Sequence, residues 1–281
     1  MTGPAATNRV IDPRYLAYQY GDSEKLRIRL EAHERYSEHV QTDWYPRYVA
    51  LLGLRPSEMV LDVGCGFGAF HPALTDVGAR IVAFDFSAGM AREAWQRADH
   101  DRLPVNVVRA DAQHIPLADR AVDGALASHM LYHVPDIRRA LEEMRRVVKV
   151  GGRVLITTNA ADHSQRLEDL HTQAVHELGL TPAANPGHSR FSLDDLPLVR
   201  AVFPNTVLHR HPNAFLFPTV DAALRYYASG RIDAVQERQE DGAHRPALLE
   251  RMGASIGAII EQEGVFRVPK GAGAFLATVE S

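Results

Sequence analysis

Apolar and polar positions follow two rhythms along this chain, and the places where one gives way to the other predict its elements. Over residues 23–39 the spacing is helical, with Leu26, Leu30 and His33 or Glu34 on one side and Ser23 placed to cap the start. A second short helix is expected over 44–52. From residue 59 the apolar runs shorten: a strand at 59–63, a glycine-rich turn, a helix over 67–77 and a strand over 80–84 make one strand–helix–strand unit. The rhythm continues with a helix at 88–98 and strands at 106–110 and 124–128. A helix at 137–149 carries Ile137, Leu141, Met144 and Val148 on one face and Asp136 as its cap. Gly151 and Gly152 end it, and a strand over 153–158 follows.

Strands and helices that alternate for about a hundred residues predict an α/β fold with a parallel, doubly wound sheet. Past Asn159 the order loosens. Helices are expected at 164–178 and 192–201 around a polar loop at 182–188, then a strand at 206–217, helices at 220–229 and 243–263, and a closing strand at 274–279. Two late strands separated by helices predict an inserted lid. The expected organisation is an N-terminal helical cap over 1–55, a ligand-binding core over 56–160, and the rest of the core over 161–281 with the helical lid at 219–265. Residues 1–12, polar with Gly and Pro, are expected to fray.

Composition narrows the partners. The 46% hydrophobic content of 281 residues supports a sizeable core. Lys and Arg number 31 against 35 acids, so no basic surplus points to nucleic acid or an anionic membrane, and a small-molecule substrate fits better. No apolar run approaches the ~20 residues of a membrane span. The single cysteine, Cys65, cannot form an internal disulfide, and no apolar leader opens the chain, so a cytoplasmic location is expected. Oligomeric state stays open.

Candidate chemistry centres on VLDVGCGFGAF, residues 60–70. A strand that runs into Gly64, Gly66 and Gly68 lets the backbone turn sharply and approach a ligand, because no Cβ stands in the way. Read through Ala69, the turn satisfies the loose dinucleotide fingerprint, with Asp85 about 20 residues on for a ribose hydroxyl. Asp62 breaks the ambiguity. Two positions before the first glycine, a carboxylate repels a pyrophosphate but attracts an ammonium. S-adenosylmethionine offers an ammonium and a sulfonium, and no phosphate.

The chain resembles the class I S-adenosylmethionine-dependent methyltransferases. VLDVGCGFG is similar to their first motif, AFDFSAGM to the second, RADAQHIPLADRAVDGALA to the third and fourth, and RRVVKVGGRVLI to the glycine turn that leads a strand. Leu131-Tyr132-His133-Val134 resembles a stretch of the small-molecule, type 11-like branch. The leader GDSEKLRIRLEAHERYSEHVQTDWYPRYV and the closing FRVPKGAGAFLA resemble those of actinobacterial members associated with secondary metabolism. The resemblance implies a Rossmann-like sheet of seven strands, the last antiparallel. It also implies that Asp62, Gly64, Gly66 and Gly68 hold the methionine part and that Asp85 takes both ribose hydroxyls. Phe86 and Met90 would lie against the adenine, Asp111 would take its amino group with the Ala112 amide beside it, and Ser128 would lie by the methionine chain. Phe86 and Met90 could equally be core, and Cys65 is expected to be a small buried residue rather than a nucleophile.

A sulfonium methyl is already activated, so such a site mainly aligns a nucleophile and excludes water. If the acceptor is a hydroxyl or protonated amine, a base is needed, and histidine suits it. His133 and His129 follow the fourth strand at the rim where open α/β sheets bind ligands. His133 could instead fix its loop. Tyr15, Tyr18 and Tyr20 of the leader could close over the pocket, with Tyr20 beside the acceptor, or form a packing stripe. His209-Arg210-His211 places two imidazoles on one strand face without Cys or Asp/Glu partners, so no metal is expected, and His163, His171, His176 and His188 lack ligand spacing. The aromatic residues Phe191, Phe203, Phe215, Phe217, Tyr226, Tyr227 and Phe266 suggest a largely apolar acceptor pocket. The expected function is methyl transfer to an O, N or C nucleophile of a small metabolite. Two readings compete: an NAD(P)-dependent oxidoreductase, against which stand Asp62 and the lack of a Tyr-x-x-x-Lys pair, and a non-catalytic cofactor-binding protein, against which stand the intact motifs.

Overall fold

The chain's strands assemble into one seven-stranded sheet in a computed structural model that describes residues 24–40, 43–183, 190–236 and 242–281. Strands β1 (Met59–Val63), β2 (Arg80–Asp85), β3 (Val105–Arg109), β4 (Val122–Ser128) and β5 (Val148–Asn159) run parallel. β6 (Val207–Phe217) and β7 (Phe266–Thr278) complete the order β3-β2-β1-β4-β5-β7-β6, with β7 antiparallel to both neighbours. This is the doubly wound sheet that the alternating pattern predicts, last strand reversed.

Both faces of the sheet are covered, and strand parity decides which side chain goes where. Leu61, Ala125, Val154, Ile156 and Phe275 face helices α5 (Ile137–Val147) and α7 (Leu196–Val202). Their neighbours Val60, Leu126, Leu155 and Ala274 face α2 (Trp44–Leu52), α3 (His71–Asp76) and α4 (Ala88–His100). That is why these strands read as continuous apolar runs rather than alternating ones. A third cluster lies beyond the sheet. β6 and β7 outrun β5 and form a two-stranded ribbon in which Phe215, Phe217, Phe266 and Val268 pack against α6 (Gln165–Glu177), α8 (Val220–Ala228) and α9 (Arg245–Glu263). Helix α1 (Glu24–Tyr36) joins this cluster through Ala32, and the Glu38 amide donates to the Ala214 carbonyl of β6 at 2.8 Å.

Three of the predicted boundaries that shift do so for a clear local reason. The helix expected over 67–77 begins only at His71, because Gly66 and Gly68 have φ of +58° and +80° and hold a turn that Pro72 then converts into a helix start. The helix expected to 149 stops at Val147: Val148 already pairs with Val122 as the first residue of β5. β7 starts at Phe266 rather than at 274. Pro269 and Gly271 hide the strand's first half, which pairs with β6 alone, so a residue without an N–H is tolerated there. The Asp136 cap forms as expected, its carboxylate accepting from the Arg139 amide at 2.9 Å. Ser23, the leader tyrosines Tyr15, Tyr18 and Tyr20, and His188 lie outside the described residues.

Candidate active site

The C-terminal ends of β1, β2 and β4, the ribbon and α1 enclose one cavity of about 1310 Å³. Asp62, Gly64, Gly66, Asp85, Phe86, Met90, Asp111, Ala112, Ser128, His129 and His133, scattered over more than seventy positions, all line it. This is the switch-point edge where open α/β sheets bind ligands.

Asp85 is the hinge of the glycine turn. Its carboxylate accepts from the Gly66 amide at 2.9 Å and from the Ser87 amide at 2.8 Å, tying the end of β2 to the turn after β1. Burial pushes its pKa up and nearby Asp62 adds to this, while the two amides pull it down. Asp62 is 2% exposed, with His71 Nε2 3.3 Å from its Oδ2. The third carboxylate of interest, Asp111, is held by the Gln113 amide at 2.9 Å and by the Gln113 side chain. Its loop is anchored in turn by Glu143 of α5, which accepts from the Ile115 amide at 2.9 Å and pairs with Arg146 and Arg139. Glu143 was not foreseen, since it lies off the apolar face drawn by Ile137, Leu141, Met144 and Val148 and is nevertheless buried.

The three glycines are not equivalent. A Cβ on Gly66 would meet nothing nearer than Leu26 at 3.8 Å, so it would project into the open cavity. A Cβ on Gly68 would lie 2.4 Å from His71 Nδ1, and Gly68 does not line the cavity. Gly68 therefore makes room for a protein side chain rather than for a ligand, which departs from the role expected of it. Phe86 is 46% exposed to this space, whereas Met90 is 1% exposed and belongs to the core beneath it. Ser128 is held by Thr157 through a 2.9 Å hydroxyl pair. Cys65 is buried, and burial drives its thiol pKa well above the ordinary value, as expected of a residue that is no nucleophile.

His129 and His133 reach the cavity in different settings. His129 has φ +50°, and burial lowers its pKa to about 4, which makes it a poor proton acceptor near neutral pH. His133 ends a 3-10 turn, Leu131–His133, against the Tyr132 ring at 4.6 Å. Arg190 clamps that loop by donating to the carbonyls of Tyr132, Val134 and Pro135.

The acceptor side needs a correction. Of the seven aromatic residues expected to line it, only Tyr226 does so. Phe191, Phe203, Phe215, Phe217, Tyr227 and Phe266 are fully buried in the cores, Phe215, Phe217 and Phe266 because the strand period turns them onto the helices. In their place the cavity holds His33, Ser37, His163 and Lys270 among mainly apolar walls. Lys270 could have been found from the strand period: Phe266, Val268 and Lys270 are in phase and all buried. His211 also lines the cavity, against Tyr48 at 5.7 Å, and among the described residues no group of three His, Cys, Asp or Glu could hold a metal ion. No helix in the described residues is long and apolar enough to cross a membrane.

These observations test the cofactor. A cradle that a Cβ at Gly66 would fill, three carboxylates around it and an exposed aromatic face suit a cationic nucleoside without phosphate, and they oppose a dinucleotide pyrophosphate. Sheet order and site together define an α/β domain of Rossmann-like type whose strand-end cradle suits such a cation. Residues 61–156 match the family described as methyltransferase domain. The chain is 43% identical over 114 residues to a demethylmenaquinone methyltransferase of Thermobifida fusca, covering 40% of this chain and 48% of that one. It is 35% identical over 139 residues to a malonyl-[acyl-carrier protein] O-methyltransferase of Serratia marcescens, covering 49% and 52%. The matches thus span about half the length of these curated relatives. In fold it is similar to phosphoethanolamine N-methyltransferase 2 of Haemonchus contortus, solved with S-adenosylhomocysteine. That likeness has a TM-score of 0.59 at 15% identity over 95% of this chain and 59% of the other.

Proposed function

We propose that this chain transfers the methyl group of S-adenosylmethionine to an O, N or C nucleophile of a small, aromatic or largely apolar metabolite, within secondary metabolism. The observation that carries this reading is the single cavity, which joins the acidic glycine-turn half to a mainly apolar half under α1 and the ribbon. The leader and closing segments support the secondary-metabolite context by their resemblance to actinobacterial enzymes. Of the curated relatives, one is named for demethylmenaquinone, which fits a small acceptor, and one for malonyl-[acyl-carrier protein], an acyl group on a carrier protein.

When bound, S-adenosylmethionine supplies a methyl carbon already activated by its sulfonium. Asp62 and the amides around Gly64 and Gly66 would hold its amino-acid end, and Asp85 its ribose. Phe86 would cover the adenine, with Asp111 and Ala112 at its edge and Ser128 beside the methionine chain. Asp62, Asp85 and Asp111 give this half the charge that a cation requires. The acceptor would lie between α1, the leader and the lid formed by the helices at 219–265, facing residues 128–133. His133 or Tyr20 would orient it or take its proton, with His129 behind them.

Calorimetry with S-adenosylhomocysteine tests the cofactor half. Incubation with methyl-labelled S-adenosylmethionine and an extract of the source cell, followed by mass spectrometry, identifies the acceptor. His133→Ala and Tyr20→Phe are expected to bind cofactor normally but turn over more slowly, by about 10²- to 10⁴-fold where the residue is the base. Full turnover of His133→Ala from about pH 6 to about pH 9 would return His133 to a loop-fixing role.

A further inference from the structure

The far end of the cavity carries a buried cation among basic and uncharged groups. Lys270 is 6% exposed and lines the cavity. Its ammonium donates to His33 Nδ1 at 2.8 Å and to Ser37 Oγ at 2.7 Å, and lies 3.9 Å from the centre of the Phe215 ring. Neither partner is a carboxylate. An ammonium has three donors, and among the described residues no carboxylate oxygen comes within 4.0 Å of this one.

The surrounding elements add no counter-charge. α1 contributes His33 and Arg29, the end of β4 contributes His129, and the turn after β5 contributes His163, all basic. Tyr226 of α8 packs on the same Phe215 ring at 4.7 Å. The carboxylates nearest this end are otherwise placed. Glu168 pairs with Arg231, Asp162 is exposed beside Gly271, one residue out of phase with Lys270 on β7, and Glu34 is exposed on α1. A buried cation without an anion is costly, and proteins that keep one commonly use it on a ligand.

We propose that Lys270, held by His33 and Ser37, anchors an ionised oxygen acid of the methyl acceptor, a carboxylate or an acidic phenol, and thereby selects acidic acceptors. This deepens the methyltransferase reading and rests on it. Burial alone brings Lys270 down to about 7, and burial with the Lys270 charge keeps His33 well below the ordinary histidine value. An incoming oxyanion therefore completes the protonation of Lys270, and its affinity falls as pH rises above neutrality. His33 and Ser37 remain its hydrogen-bond partners.

Calorimetry of matched ligands decides the question, run with and without saturating S-adenosylhomocysteine. The pairs are 2-naphthoate against 2-naphthamide, octanoate against octanamide, and 4-nitrophenol against 4-nitroanisole. The expected result is at least about tenfold tighter binding of an acid than of its neutral partner near pH 7, lost in Lys270→Met, while S-adenosylhomocysteine affinity is unchanged in that variant. A preference for the carboxylates alone names a carboxylic acid as the anchored group, and one for nitrophenol alone names a phenol. Equal binding within every pair, or a preference that survives Lys270→Met, overturns the proposal. Should the variant fold poorly, the wild-type protein decides instead: from about pH 8 to about pH 9, where every acid tested is ionised, the preferred acid's affinity must fall while the neutral partner's stays level, and a level acid profile overturns the proposal. Failure of the wild-type protein to bind S-adenosylhomocysteine would sink the methyltransferase reading separately, because the acid preference is also measured without it.

Discussion

The two halves of the cavity are built in opposite ways. On the cofactor side, the functional groups lie at the ends of adjacent parallel strands, within short segments that carry their own glycines and carboxylates: Asp62 to Gly66 at the end of β1, Asp85 and Phe86 at the end of β2, Asp111 and Ala112 just past β3. On the acceptor side, Lys270 meets His33 across 237 positions, through a helix that precedes the sheet and a ribbon that follows it. Local segments can hold a common cofactor unchanged while the distant ones are free to change the acceptor, since they share no backbone turn with it.

The largest effect is expected from Gly66→Val. A branched side chain would fill the open cradle and adopt φ +58° only under strain, so binding of S-adenosylhomocysteine should fall by more than about 100-fold with most of the fold retained. Circular dichroism and calorimetry check both parts, and near-normal affinity would move the ligand away from the turn. Next comes Asp85→Ala, expected to cost about 2 to 3 kcal/mol of cofactor affinity through loss of a charge-assisted, two-pronged hydrogen bond. Asp85 also ties Gly66 to Ser87, yet the variant should bind acceptor-side acids as well as the parent does, because Lys270 and its partners share no turn with it, and this tests the independence of the halves.

Glu143→Ala should lower stability by about 2 kcal/mol, since it strips the Ile115 amide and Arg146 of a 3% exposed partner, with a smaller loss of cofactor affinity through the loosened Asp111 loop. Chemical denaturation resolves it. The smallest effect concerns Lys270. Its folded pKa, about 7, lies below that of the unfolded chain, ~10.4, so between these values the unfolded state binds more protons and stability rises with pH. The ligand-free protein should gain up to about 1 kcal/mol per pH unit from about pH 7 to about pH 9, and Lys270→Met should flatten that slope. A parent protein whose stability is level over this range would mean that Lys270 already has a counter-charge.

What could be read in the sequence follows from this contrast. The sheet, its parallel order and the acidic glycine turn were legible because each depends on residues within a few positions of one another: apolar runs of strand length, glycines where φ must be positive, a carboxylate at a strand end. Gly68 looked like its fellow glycines, and only the fold shows that it clears space for His71 rather than for a ligand. Six of the seven aromatic residues assigned to the pocket proved to be core: Phe215, Phe217, Tyr227 and Phe266 pack in the cluster between the ribbon and its helices, and Phe191 and Phe203 under the sheet, which the sequence spacing alone does not reveal. Glu143 and Arg190 were invisible for a related reason, as each secures a loop distant in sequence.

The amino-acid sequence by itself determined the fold class, the cofactor-facing turn and the carboxylates around it, because local backbone geometry and strand periodicity are short-range properties. Only the tertiary structure decided what lies opposite. Pro269 and Gly271 mask the strand that carries Lys270, and nothing in the chain near it announces His33 or Ser37. Their meeting depends on α1 docking against β6, and on β7 running past the end of β5, and contacts closed over such long loops leave no pattern in either segment alone.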